Sequence, residues 1–232
     1  MRIHAIIHAP FEQLGAIEPW ILKNNHQLTS TRIYDNEKLP DVDQFDFLIL
    51  MGGPQTPLRL DKYPYLRDEI ELAEQAIGKN KVVFGICLGA QLIGEALGAS
   101  TERSPNRETG VYPIFTTPEG EKDPLFKTFG KQFDVMHWHN DMPGISKESV
   151  LLAASEGCPR QAFRYGDRAY GFQFHLEMTS DSIKTMIEQC AEYLPPGKYV
   201  QSPDQLLASR CEPINYKMHA TLDYLASKVT SI

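Results

Sequence analysis

The chain has 232 residues, 42% of them hydrophobic and 23% charged, a globular composition that argues against disorder and collagen-like repeats. At this length folding buries roughly 70–75% of the unfolded surface, so neither disulfides nor a metal is needed to hold a core. A formal charge of −7 leaves no basic excess to neutralise phosphates, which speaks against a nucleic-acid or anionic-membrane partner.

Met1-Arg2 opens directly on the alternating run Ile3–His8, which predicts a strand over 2–9 without an apolar signal stretch before it. A helix is expected over 12–24, a second strand over 27–34 and a third over 45–51, the last ending in Gly52-Gly53-Pro54. A helix over 64–77 places Leu66, Ile70, Ala73 and Ile77 on one face. Residues 81–86 form a short apolar run bounded by turn residues, the pattern of a buried central strand. This alternation predicts an α/β fold with a doubly wound, mainly parallel central sheet and helices on both faces.

Residues 100–175 lack a long helical pattern and carry β-prone runs over 111–116, 133–138, 150–154, 161–165 and 169–174, so antiparallel additions to the sheet are expected there. A helix over 180–193 follows, with Thr179 or Ser180 as its cap and Ile183, Met186, Ile187 and Cys190 facing inward. Pro195-Pro196-Gly197 breaks it, and a helical extension with Leu206, Leu207, Leu222 and Leu225 occupies 195–232. With no repeat or linker, residues 1–232 read as a single domain. No apolar run approaches the roughly 18–20 residues of a membrane span. Cys87, Cys158, Cys190 and Cys211 show no C-x-x-C pairing, so we expect reduced thiols in a cytoplasmic protein.

The sharpest chemical signal is Phe84-Gly85-Ile86-Cys87-Leu88-Gly89-Ala90-Gln91. A buried strand enters G-x-C-x-G and then a helix from Gln91 to Leu97, the arrangement of a nucleophile elbow with Cys in place of Ser. The helix N-terminus behind Cys87 favours thiolate and lowers its pKa. The competing structural reading is a core cysteine beside packing glycines. A thiolate needs a base and an orienting acid, and Gly171-Phe172-Gln173-Phe174-His175-Leu176-Glu177 supplies both at a strand end. His175 and Glu177 are two apart and point the same way on an extended segment. Taken alone, His175 is equally a satisfied core residue.

These motifs together resemble the class I glutamine amidotransferases, which have a Cys-His-Glu triad and a flavodoxin-like fold, and within them stand-alone proteins similar to the amidotransferase half of GMP synthase. The match covers about residues 1–190 through Met51–Pro54, Gly85–Gln91, Arg107-Glu108-Thr109-Gly110, His139-Asn140-Asp141 and Gly171–Glu177. The resemblance implies that Cys87 attacks the side-chain amide of glutamine and that His175, oriented by Glu177, moves the protons. It places the oxyanion hole at Gly53 and Leu88, and substrate contacts at Gly52, Gln91, Asn140, Asp141 and Met142. It implies no cofactor and no metal. Leu176 stands where the family usually has Pro, and Asn140 where it has Gly.

Arg107 and Glu108 read equally as an ion pair flanking the site or as substrate contacts. His137, Trp138 and His139 read as strand-end wall residues rather than metal ligands, since H-x-H with Asp141 is a thin ligand set. Phe11 and the loop over 10–15 are placed to rim the pocket. These residues contain no synthetase region and no phosphate-binding G-x-x-x-x-G-K motif, so a separate synthetase subunit is the expected acceptor of ammonia. A γ-glutamyl peptidase or hydrolase acting on a γ-glutamyl compound is the competing enzyme reading. A non-catalytic regulatory or binding subunit is the competing reading of another class.

Overall fold

A computed structural model describes residues 1–190 and 194–229. Burial along the first strand, β1 (Arg2–Ile7), sets the architecture: Ile3, Ala5 and Ile7 face one side, Ile6 faces the other, and all are buried. β3 (Phe47–Leu50) and β4 (Val82–Ile86) repeat the pattern, with Phe47, Ile49, Phe84 and Ile86 on the first side and Leu48, Leu50 and Val83 on the second. Strands apolar on both faces need cover on both. The helices α1 (Ile17–Lys23) and α6 (Glu212–Val229) cover the first face; α2 (Leu66–Gly78) and α3 (Leu88–Ala96) cover the second.

The remaining strands are β2 (Gln27–Arg32), β5 (Glu102–Thr116), β6 (Gln132–Met142), β7 (Ser149–Ala154), β8 (Ala162–Tyr165) and β9 (Ala169–Phe172). All join one nine-stranded sheet in the order β2-β1-β3-β4-β9-β8-β7-β5-β6. The half from β2 to β9 is parallel, and every pairing from β9 through β6 is antiparallel. The expected doubly wound sheet with antiparallel additions is therefore what the chain forms. The carboxyl ends of β1, β3, β4 and β9 gather at one edge, where open α/β sheets place their ligands.

Several boundaries differ from expectation. The first helix begins at Ile17 rather than 12, because Gly15 turns the chain with a φ of +52° and a Cβ there would strike the Glu177 carbonyl. β5 and β6 are longer than the β-prone runs, since Pro105 and Gly110 hide the strand from a propensity reading and a register shift between Arg103 and Glu108 absorbs the proline. The buried face of α2 is Leu66, Glu69, Leu72, Ala73 and Ala76, with Ile70 and Ile77 at its margin. Glu69 is drawn in by a partner described below.

The helix α4 (Ser180–Gln189) starts as expected at Thr179, whose hydroxyl accepts from the Ser182 amide. Residues 191–193, included in the expected helix, lie outside the described residues. Ile183 and Met186 of α4 and Leu206 of α5 (Pro203–Leu207) close a third cluster around Met136 and Trp138. In the C-terminal extension Ile214, Met218, Leu222 and Leu225 pack into the core, whereas Leu207 is exposed. No described helix is long and apolar enough to cross a membrane.

Candidate active site

Between β4 and α3 the chain turns within one residue. Cys87 has φ 52° and ψ −107°, a combination that residues with a Cβ rarely adopt. The flanking glycines make the turn possible: a Cβ on Gly85 would run into the Gly89 carbonyl, and one on Gly89 into the Leu50 carbonyl. The Cys87 amide donates to the Phe172 carbonyl at 2.8 Å, fixing the turn to the neighbouring strand. α3 begins immediately at Leu88, three residues earlier than its periodicity predicts.

β9 lies parallel beside β4 with Ile86 opposite Phe172, so the segments leaving both strands emerge together. His175 is held by two backbone hydrogen bonds: its amide donates to the Met136 carbonyl at 2.7 Å, and its carbonyl accepts from the Met136 amide at 3.2 Å. Its Nδ1 lies 2.5 Å from Glu177 Oε1. The other Glu177 oxygen accepts from the Leu176 amide at 3.0 Å. Asn215 of α6 donates to the carbonyls of both Leu176 and Met178, at 2.8 and 3.0 Å. The segment around Leu176 is thus held from outside without the restriction a proline would bring.

The electrostatics follow from burial opposed by neighbours. Burial pushes the Cys87 thiol up, and the hydrogen bond and charge of His175 oppose that rise. The lowering expected from the helix N-terminus alone is outweighed. Burial alone would strip His175 of its proton, but the Glu177 carboxylate and the Cys87 sulfur overcome it and hold the imidazole well above its ordinary value. Gln173, fully buried, donates Nε2–H to Cys87 Sγ at 3.4 Å. A charge on sulfur is therefore met by an amide donor as well as by the imidazolium.

These groups open on a cleft of about 340 Å³. Cys87, Gly53 and Gln91 line its base, Trp138, His139, Asn140 and Asp141 of β6 one wall, and Met186 and Cys190 another side. Gln91 donates to Gln173 Oε1 at 3.0 Å, while its own buried Oε1 has no partner among the described residues. The buried Nε1–H of Trp138 is likewise unpartnered there. Asn140 Oδ1 accepts from Arg107 at 2.7 Å; Asp141 accepts from Arg103 and from the Thr56 hydroxyl, both at 2.7 Å.

Gly53 and Leu88 adjoin, with Leu88 Cδ2 3.1 Å from where a Gly53 Cβ would stand. Gly52 backs onto His175 and offers its carbonyl to His8, and Met142 is buried at the end of β6; neither lines the cleft. Arg107 and Glu108 part company. Arg107 lines the cleft, whereas Glu108 is buried 3.2 Å from His139 and 3.6 Å from His137. Glu108, His137 and His139 bring ligand-type atoms within 4.8 Å of one another. The Gln161 amide nitrogen already fills the space among them, 2.6 Å from Glu108 and 3.3 and 3.4 Å from the imidazoles. The cluster is a dry polar brace behind the β6 wall.

The sequence pattern of glutamine amidotransferase class-I matches residues 7–192, which contain the elbow, the His175–Glu177 segment and the whole β5–β6 wall. The chain belongs to the class-I glutamine amidotransferase family. It is 40% identical to the glutamine amidotransferase-like protein YfeJ of Salmonella typhimurium over 232 residues, 97% of each chain. It is 34% identical to the glutamine-hydrolyzing GMP synthase of Thermosipho africanus, over 59% of this chain and 25% of that one. A glutamine amidotransferase of Thermotoga maritima superposes with a TM-score of 0.87 at 28% identity, covering 100% of this chain and 99% of its own.

Within this amidotransferase framework, four features escaped the reading of the sequence. Gln173 touches the sulfur, and its place between glycine and histidine carried no signal of that role. Glu12 lines the cleft from a stretch expected to be helical. His8 is buried with Nε2 2.7 Å from Glu69 and Nδ1 3.1 Å from the Gly52 carbonyl, an ion pair under the Gly52–Gly53 turn. Asn215 reaches the site from a helix beyond the family motifs. A polar residue at the end of an apolar strand, as His8 is, was the one available hint.

Proposed function

We propose that the protein hydrolyses the side-chain amide of glutamine through Cys87, His175 and Glu177, releasing ammonia. The main support is the strained turn at Cys87, which lifts a buried thiol to the cleft floor beside an imidazole already paired with a carboxylate. The thiolate adds to the amide carbon and the carbonyl oxygen gains the negative charge. The backbone N–H groups of Gly53 and Leu88 receive that oxygen, an interaction of roughly 3–4 kcal/mol per donor in comparable sites. His175 gives its proton to the amide nitrogen as the C–N bond breaks, leaving a γ-glutamyl thioester and ammonia. The now neutral imidazole takes a proton from water, hydroxide displaces sulfur, and glutamate departs.

Gln91 Oε1 and Trp138 Nε1, a buried acceptor and a buried donor without partners, suit the polar ends of an amino acid. Arg107, Asn140 and Asp141 shape the wall opposite. A volume of about 340 Å³ lies at the low end for small-molecule sites and suits a substrate of amino-acid size. A separate synthetase polypeptide is the acceptor of ammonia in this reading, and relatives named GMP synthase support it.

The test compares ammonia release from glutamine with glutamate release from a panel of γ-glutamyl amides, using Cys87→Ala as control. Glutamine turnover lost in Cys87→Ala is expected. Turnover confined to the larger γ-glutamyl amides would replace the glutaminase by a γ-glutamyl hydrolase, and turnover surviving Cys87→Ala would remove the assigned nucleophile.

A further inference from the structure

Glu177 is not the only carboxylate at His175. The loop between β1 and α1 brings Glu12 to the other side of the ring. Glu12 is partly exposed as a residue, but its carboxylate is packed inward: a Cβ on Gly52 would collide with Glu12 Oε2 and lie 3.2 Å from His175 Cε1. Only glycine at 52 leaves room for that approach. The carboxylate also borders the cleft that contains Cys87 and the recess containing His175 and Glu177. It therefore stands where the two compartments meet, beside the ring carbon between the nitrogen held by Glu177 and the nitrogen that faces sulfur.

We propose that Glu12 is a positioning residue of the reaction: its carboxylate, set against the Cε1 edge of His175, stabilises the imidazolium that pairs with the Cys87 thiolate and sets the pH range in which that pair exists. This rests on the reading of Cys87 and His175 as the reacting pair. A negative charge here has two effects of known sign. It holds the proton on His175, and it opposes charge on Cys87, raising the pH at which thiolate appears.

The groups around Glu12 come from every neighbouring element. His8 from β1, paired with Glu69 of α2, and His175 favour its charge; Glu177 opposes it; Cys87 faces it from the elbow. Across the cleft stand Arg103 and Arg107 of β5 and His139 and Asp141 of β6, with Arg103 already paired to Asp141. Burial, with Glu177, pushes Glu12 up to about 6. Its ionisation thus falls inside the working range of such a pair.

The experiment is the pH dependence of iodoacetamide alkylation at Cys87, followed by peptide mass spectrometry in the full chain, for the wild type, Glu12→Gln and Glu12→Asp. Removing the charge is expected to move both limbs of the profile to lower pH by about one unit, the scale of one neighbouring charge on a buried group. Glu12→Asp should restore most of the displacement. Coincident profiles in wild type and Glu12→Gln would overturn the proposal. If Glu12→Gln does not fold, the wild type still decides: the His175 Cε1 carbon resonance, assigned by its loss in His175→Asn, should show a separate step near pH 6. Its absence would overturn the proposal too. Alkylation needs no substrate, so a wild type inactive on glutamine would sink the hydrolase reading without moving these profiles.

Discussion

The Gln173 amide and the Cys87 sulfur form one half of a relay, because the same Gln173 side chain accepts from Gln91 while it donates to sulfur. The residue at the base of the cleft and the sulfur are thus joined through one buried amide. A donor to a charged acceptor is worth about 1.5–3 kcal/mol. Gln173→Leu should therefore lower glutamine turnover by roughly 10- to 100-fold, with the acid limb of Cys87 alkylation moving to higher pH. Stopped-flow alkylation across pH checks this; a turnover loss with an unmoved limb would mean that Gln173 only packs.

Asn215 ties α6 to the segment carrying Glu177 through two carbonyls. Asn215→Ala leaves both acceptors to find water, and the expected loss of unfolding free energy is about 1–3 kcal/mol. Because Leu176 lies between His175 and Glu177, turnover should fall by more than substrate affinity changes. Urea denaturation and a separation of kcat from KM measure the two effects.

The buried His8–Glu69 pair predicts a pH dependence of stability. Burial works against a charged His8, yet Glu69 prevails and its pKa is raised. The unfolded imidazole titrates near 6.5. A group held above its unfolded value contributes fully below that value, and the contribution is lost as pH rises through the folded value. Urea midpoints for the wild type should therefore fall between pH 6 and 9 more steeply than those of His8→Leu/Glu69→Leu. Glu69→Ala alone should cost about 3–5 kcal/mol by leaving a buried charge uncompensated. Equal pH slopes in wild type and double variant would show His8 to be neutral.

Gly89 touches the Leu50 backbone so closely that a single methyl has no place. Gly89→Ala should destabilise by about 1–3 kcal/mol or more, with turnover lost as the elbow shifts. Gly78, which has open space around its Cβ position, provides the contrast: Gly78→Ala should leave the urea midpoint nearly unchanged or raise it.

What the sequence made legible is what local pattern encodes. The apolar runs of β1, β3 and β4 predict their own burial on both faces, and G-x-C-x-G between strand and helix predicts a strained turn. The spacing of His175 and Glu177 predicts their shared side. Contacts across the sheet were not legible. Nothing near Glu12 announces a cleft, because its inward approach depends on Gly15 turning the chain and on Gly52 being bare. Nothing near Asn215 points to Leu176, 39 residues away. The face of α2 was misjudged because hydrophobicity alone cannot anticipate Glu69 entering the core to meet His8. Strand lengths in the β5–β6 hairpin were underestimated because pairing partners, rather than propensity, carried the ladder past Pro105.

The two hydrogen bonds between Met136 and His175 have a consequence for how reactivity is acquired. Cys87 belongs to the parallel half of the sheet, and His175 is fixed only when β6, from the antiparallel half, docks against it. A chain in which the first half has formed and the second has not holds a thiol with no imidazole fixed beside it. Such a folding intermediate is chemically silent, shielded from wasteful acylation until both halves have closed.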